Sequence, residues 1–326
     1  MIVGLDIGYG YTKATEGDNI VIFPSVAGDA PISDFDNALI HSHTGDVYEI
    51  DGTAWFIGKH AQKHSRNPQA LFTRERTRQT DVLKVLMIAA LHELEADRVQ
   101  VCTGLPVEWY GDKQRLIFAL QGEHAYKVNG EEFCAHVAPP VVVPQPFGAF
   151  FFDLIGQDFS IVRPKYAGDG VKVGVIDVGM YTTDVVLADG LEYVAKNSGS
   201  KPLGLHSMLH SLFEGVRDKY GIEYTVHDID AILRGNRAFI VEGHDKKLSD
   251  ESFFEEALAR LRSEILAFAR DRFGNARDYA AVLVSGGGAW LIEDVIREEY
   301  AQARVLQTPH LANVQGFYRY GVRKFK

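Results

Sequence analysis

The chain opens on a run of apolar, largely β-branched residues, 2–7, which predicts a β-strand with Asp6 at its end. Residues 19–23 predict a second strand, with Pro24 and Gly28 as breaks. Residues 29–60 are polar and turn-rich. Gly45-Asp46 and Asp51-Gly52 set off short strands over 47–50 and 54–57, so a small insertion is expected over about 25–60. The period then changes. Over 80–94, Val82, Leu83, Leu86, Ala90 and Leu94 recur at helical spacing and Asp81 falls in the first turn. A strand at 99–102 is stopped by Thr103-Gly104-Leu105-Pro106, and Asn129-Gly130 marks a hairpin with a type I′ turn. A strand over 137–143 is broken by Pro139 and Pro140. Pro144 and Pro146 hold Gln145 extended ahead of an aromatic run that enters a buried helix.

After a loop over 157–170, the second half repeats the first in outline. A strand ends at Asp177, 184–188 continues as a strand, and Asp189-Gly190 turns it back into 191–195. Residues 197–204 read as a flexible polar turn. A helix follows over 205–220, with Gly221 as its stop. A short helix and a hairpin around Glu242-Gly243 occupy 222–250. Phe254, Leu258, Leu261, Ile265 and Phe268 predict a long helix over 253–273, with Ser252 as its cap and Gly274 in the αL position after it. Strand 281–284, the turn Ser285-Gly286-Gly287-Gly288, helix 289–300, strand 303–306 and a closing helix from about 311 complete the pattern.

Length and charge narrow the class. At 326 residues two domains are expected. A net charge of −10 argues against a broad nucleic-acid-binding surface. No apolar run is long enough for a membrane span, and the start lacks the basic region of a signal peptide. Two cysteines, Cys102 and Cys134, suit a reducing compartment. Cys134-x-His136 lies in an alternating strand pattern and reads as strand chemistry rather than a metal site. His206 and His210 share the i, i+4 spacing of a zinc helix without the Glu between them, so a packed or solvated face is expected.

The candidate chemistry sits at two matching turns. Asp6, Gly8, Tyr9, Gly10, Tyr11, Thr12 and Lys13 follow the first strand. Asp177, Gly179, Met180, Tyr181 and Thr182 follow the other, and one 171-residue offset relates Asp6 to Asp177 and Gly8 to Gly179. Glycine-bearing turns bring backbone N–H groups close to an anion, and Lys13 adds a point charge. A single such turn also serves an ordinary hairpin; the pair suggests a clamp on a nucleoside triphosphate and its Mg²⁺, which suits one or two carboxylates and phosphate oxygens. Gln145, stiff at a strand-to-helix junction, would position a water or cap local backbone. The triple glycine 286–288 would let adenosine lie on bare backbone, or serves tight helix–strand packing.

These stretches, taken together, resemble the actin/Hsp70/hexokinase ATPase superfamily, most of all the prokaryotic actin-like proteins of the ParM/StbA type and archaeal actin homologues. The resemblance rests on five dispersed motifs in order: 4–13, 144–149, 175–184, 285–288 and 312–318. In addition, 101–107 is similar to a stretch typical of the prokaryotic subgroup. It implies a two-domain α/β fold of the duplicated ribonuclease H-like kind, with the nucleotide in the inter-domain cleft. Domain I would comprise 1–148 and 308–326. Domain II would comprise 149–307, with an insertion over about 206–275. It also implies that Asp6 and Asp177 hold Mg²⁺ through water and that Gly8 to Thr12 and Gly179 to Thr182 cradle the phosphates. Lys13 would pair with the phosphates, Gln145 orient the attacking water, and Gly286, Gly287 and Gly288 contact adenosine. Met180 and Tyr181 stand where small, acidic or glycine residues are common, and Gln145 where many ParM-like proteins have Glu. The implied activity is ATP hydrolysis to ADP linked to assembly of cytoplasmic filaments, with a DNA-binding adaptor as partner in plasmid segregation and no direct contact with nucleic acid or membrane. The alternatives are a small-molecule kinase of the same superfamily and a non-polymerising nucleotide switch.

Overall fold

The computed structural model describes residues 1–30, 45–70 and 80–326. They form two compact units, Met1–Gly168 with Leu306–Lys326, and Asp169–Val305. The expected insertion over 25–60 lies partly outside the described residues. Its described strands join the main sheet of the first unit.

That sheet contains β1 (Ile2–Ile7), β2 (Tyr11–Thr15), β3 (Ile20–Pro24), β4 (Val26–Asp29), β5 (Tyr48–Ile50), β6 (Thr53–Ile57), β7 (Gln69–Ala70), β8 (Arg98–Leu105), β9 (Gly122–Val128) and β10 (Glu131–Pro144). Their spatial order is β3-β2-β1-β8-β10-β9-β5-β6-β4-β7. β1 is antiparallel to β2 and parallel to β8, and β8 is parallel to β10. Helix Thr80–Glu93 buries every residue from Val82 to Leu91 except Lys84. The sequence had shown one apolar face; Val85, Met87, Ile88, Ala89 and Leu91 make the helix apolar nearly all round, the mark of a helix enclosed by its neighbours.

Two sequence boundaries move. Pro139 and Pro140 do not break their strand. β10 runs through them because its register against β8 shifts between Ala138 and Val141, and a bulge accommodates residues that cannot donate to the ladder. β8 likewise continues through Thr103 to Leu105. Gly104 makes this possible, since a Cβ there would fall 2.7 Å from Gln145 Cα.

The expected division at 148 falls inside helix Phe147–Leu154, which packs within the first unit against the closing helix Ala312–Phe325. The unit boundary is at Gly168 instead. The crossing is close because both helices present glycine. A Cβ on Gly316 would fall 1.7 Å from the Gly148 carbonyl oxygen. Asn313 Oδ1 accepts from the Ala149 N–H at 3.0 Å. The Arg319 guanidinium donates to the carbonyls of Phe152 and Ile155, at 2.7 and 2.8 Å, where a helix end leaves acceptors without intrahelical partners.

The second unit holds a sheet of six strands and a separate hairpin. The sheet comprises β11 (Lys172–Val178), β12 (Thr183–Asp189), β13 (Glu192–Tyr193) and β14 (Gly199–Lys201), with the hairpin β15 (Phe239–Val241) and β16 (His244–Lys246) falling next in the chain, and then β17 (Tyr279–Ser285) and β18 (Ala303–Val305). The order is β13-β12-β11-β17-β18, with β14 also on β12. The supposed polar turn 197–204 therefore contains a paired strand, while 191–195 keeps only two strand residues. Gly221 ends helix Leu205–Tyr220 in the left-handed conformation at φ 66°, as its position requires. At the long helix Ser252–Phe273 two expectations fail. Glu251, not Ser252, occupies the cap position, and Gly274 has φ 62° with ψ −135°, outside the αL region. Leu212, Val216, Ile265, Phe268, Ile292 and Ile296 are fully buried in this unit's core.

Candidate functional site

Each unit builds its candidate turn in the same way. Between β1 and β2, the Gly8 N–H donates to the Tyr11 carbonyl at 3.0 Å. Between β11 and β12, the Gly179 N–H donates to the Thr182 carbonyl at 2.8 Å. Both glycine amides thus close their own hairpins. In each case an aspartate sits two residues earlier, at the end of a strand with a parallel neighbour, where ligands of open α/β sheets bind.

In the first unit, Asp6 is buried and pairs across the hairpin with Lys13. Lys13 Nζ donates to Asp6 Oδ2 at 3.2 Å, and Gln145 Nε2 donates to Asp6 Oδ1 at 2.8 Å. Gln145 is held in place by its own backbone: its N–H donates to the Leu105 carbonyl at 2.7 Å, and its carbonyl accepts from the Gly148 N–H at 3.0 Å. Its side chain therefore reaches the aspartate at the turn, not a local backbone group. Thr12 turns inward, its buried hydroxyl 2.9 Å from that of Ser25. The structure thus gathers Asp6, Lys13 and Gln145, and leaves Thr12 only its backbone to offer at the turn.

In the second unit the residue opposite the aspartate is Asp184. Asp177 and Asp184 are both buried, and the Thr182 hydroxyl donates to Asp184 Oδ2 at 3.1 Å. Where one hairpin sets a lysine against its aspartate, the other sets a second carboxylate. Asp184 was not among the candidate site residues, yet a signal for its place was present: it follows Asp177 by the same interval at which Lys13 follows Asp6.

Met180 and Tyr181 are accommodated because this turn's backbone is tied down from outside. The carbonyls of Gly179 and Met180 accept from the N–H groups of Leu205 and His206, at 3.1 and 2.7 Å, at the start of helix Leu205–Tyr220. Gly204 allows the approach, since a Cβ there would lie 2.6 Å from the Met180 oxygen. The Tyr181 ring stacks on His206 with centroids 4.5 Å apart and planes at 27°. Burial pushes the Tyr181 hydroxyl up to about 12 and is the main cause that lowers His206, with the neighbouring imidazoles of His210 and His227 acting in the same direction. His206 is thus a packed residue, and His210 instead pairs with Glu214 at 3.5 Å.

The glycines of the third motif differ among themselves. Gly286 has φ 88°, and a Cβ on it would fall 2.3 Å from the Val178 carbonyl oxygen and 2.5 Å from Asp177 Oδ1. Gly288 would place a Cβ 2.6 Å from Val178 Cγ1. Tight packing against the end of β11 explains both. At Gly287 the nearest atom would be Leu205 Cδ1 at an ordinary 3.7 Å, so the protein's own packing does not demand its bare backbone.

These paired hairpins and the glycine-lined helix crossing define an actin-like fold, and comparison with known proteins agrees. Residues 4–148 match the family model of actin-like protein N-terminal domains, and residues 175–298 match that of the archaeal actin homologue MreB-like C-terminal domain. The chain belongs to the actin-like proteins. Among solved structures, Ta0583, an archaeal actin homologue in complex with ADP, aligns at TM-score 0.75 and 21% identity over 99% of both chains. A 15-stranded ParM filament from Clostridium botulinum aligns at 0.77 and 20%, over 99% of both. ParM of Bacillus thuringiensis with AMPPNP aligns at 0.72 and 16%, over 99% of this chain and 98% of that one. No match was found among curated proteins.

Proposed function

We propose that this chain is an ATPase of the actin-like class that binds ATP with Mg²⁺ and assembles into filaments. The observation that carries the reading is the hydrogen bond from Gln145 to Asp6. A residue that positions water and a residue that anchors a hydrated cation meet there on rigid backbone, as phosphoryl transfer to water requires.

The donor set fits magnesium, a hard cation held by carboxylate oxygens. Asp6, Asp177 and Asp184 are buried carboxylates at strand ends. Mg²⁺, when bound, supplies charge neutralisation at the phosphates. Gln145 orients the attacking water and does not take up its proton, because an amide is not a base near neutral pH. Lys13, paired with Asp6, stands beside the phosphates. The N–H groups of the two turns cradle phosphate oxygens, and Gly287 offers bare backbone to the adenosine.

Filament assembly is supported by the ParM structure from Clostridium botulinum, whose fold this chain shares along its length. A role in plasmid segregation follows the same likeness. With a net charge of −10, attachment to DNA would run through an adaptor protein. A cytoplasmic location is part of this proposal; no helix of the described residues is long and apolar enough to cross a membrane. Right-angle light scattering tests assembly. Scattering that rises on adding ATP and Mg²⁺ and decays as ATP is consumed is expected; no nucleotide-dependent scattering at any protein concentration or salt overturns it.

A further inference from the structure

Ser285 ends β17 immediately before the glycine turn. Its side chain is 0% exposed, and its hydroxyl has no hydrogen-bond partner among the described residues. A buried hydroxyl left unpaired is costly, and natural cores seldom keep one. Valine or alanine would fill the position without that cost.

Its place in the sheet says what the hydroxyl is near. Ser285 is the register partner of Asp177 in the parallel pair β11–β17, and Asp177 is the register partner of Asp184 in the antiparallel pair β11–β12. Register partners present their side chains on one face of a sheet. Asp184, Asp177 and Ser285 therefore form a row across three neighbouring strands. Asp177 Oδ1 lies against Gly286, the residue that follows Ser285. A hydroxyl proton rotates freely, so Ser285 can become a donor to a carboxylate that moves slightly toward it.

We infer that Ser285 is a positioning residue for the cation: its Oγ–H donates to the Asp177 carboxylate when a magnesium nucleotide is bound, and fixes the direction in which that carboxylate faces the hydrated ion. The assignment rests on the nucleotide reading above. It gives a role to Ser285, the one residue of the motif 285–288 to which the resemblance assigned none. No bond forms or breaks in the step; a hydrogen bond is gained on binding and returned on release. The unpaired hydroxyl makes the nucleotide-free protein less stable and the magnesium-bound form correspondingly favoured.

Calorimetric titration with ADP, with Mg²⁺ and with EDTA, tests this on the full chain carrying Ser285→Ala and Ser285→Thr, alongside thermal unfolding of each nucleotide-free protein. Ser285→Ala should unfold at or above the wild-type temperature. It should bind ADP about tenfold more weakly with Mg²⁺, as expected for loss of a hydrogen bond to a charged group, and equally well in EDTA. Ser285→Thr, which keeps the hydroxyl, should retain the magnesium dependence. A lowered unfolding temperature with unchanged affinity makes Ser285 merely structural and overturns the assignment, as does an equal loss with and without Mg²⁺. If the wild type binds no ADP under either condition, the nucleotide reading itself falls, and this inference with it.

Discussion

Gln145 and Asp6 lie 139 residues apart in the chain and share a hydrogen bond of 2.8 Å. Asp6 also accepts from Lys13. One buried carboxylate thus receives a cation and an amide, and those donors repay the cost of taking its charge out of water. Asp6→Asn would leave the Lys13 ammonium, 18% exposed, without its counter-charge. The variant is expected to lose about 1–3 kcal/mol of stability in chemical denaturation, and Asp6→Asn with Lys13→Met should recover part of it. Equal stability of Asp6→Asn and wild type would show that the pair contributes nothing.

The second hairpin behaves differently because its cross-strand pair is Asp177 and Asp184. Like charges at adjacent strand positions repel. Asp184→Asn should leave the nucleotide-free protein as stable or more so. It should raise about tenfold the Mg²⁺ concentration needed for ADP to stabilise the protein in thermal unfolding. An unchanged magnesium dependence would remove Asp184 from the site.

Gly316 tests the helix crossing. Its missing Cβ is replaced by the Gly148 carbonyl oxygen, 1.7 Å from where that Cβ would stand. Backbone cannot yield as a flexible side chain does. Gly316→Ala should cost about 3 kcal/mol or more by thermal unfolding. Gly111→Ala, at a site with open space, should be close to neutral and serves as the control.

Glu251 gives a pH dependence with a definite sign. Hydrogen bonds from Lys219 and Tyr220, each at 2.5 Å, hold its carboxyl below the usual carboxylate value of 4.5. A lowered folded-state pKa means that this contribution is present above the ordinary value and lost as pH falls through the folded one. Glu251→Gln should therefore be less stable than wild type at pH 7. The two unfolding temperatures should converge as the pH drops from about 5 to below 4. A constant difference across that range would assign the loss to packing instead of charge.

Much of this could be read ahead of the structure where local pattern and tertiary demand agree. Gly221 stops its helix because an αL residue was needed there. The offset between Asp6 and Asp177 announced two equivalent hairpins, and both close with the same hydrogen bond. What could not be read depends on neighbours distant in sequence. The bulge that carries β10 past Pro139 and Pro140 exists only against β8. Thr12, in a motif that suggested phosphate binding, turns inward because Ser25 meets it. Gln145 looked equally suited to capping until Asp6 was placed beside it. The short polar stretch 197–204 concealed a strand, since its pairing partner β12 supplies the order that its composition lacks.

The central claim is ATP hydrolysis coupled to assembly, with Gln145 positioning the water. Phosphate release measured against protein concentration, with ATP and Mg²⁺, in the wild type and in Gln145→Ala, tests it most directly. The expected result is a sharp rise above a critical concentration, and release about 100-fold slower in the variant at the same extent of assembly. Release strictly proportional to wild-type protein at every concentration, or equal rates in the two proteins, would contradict it.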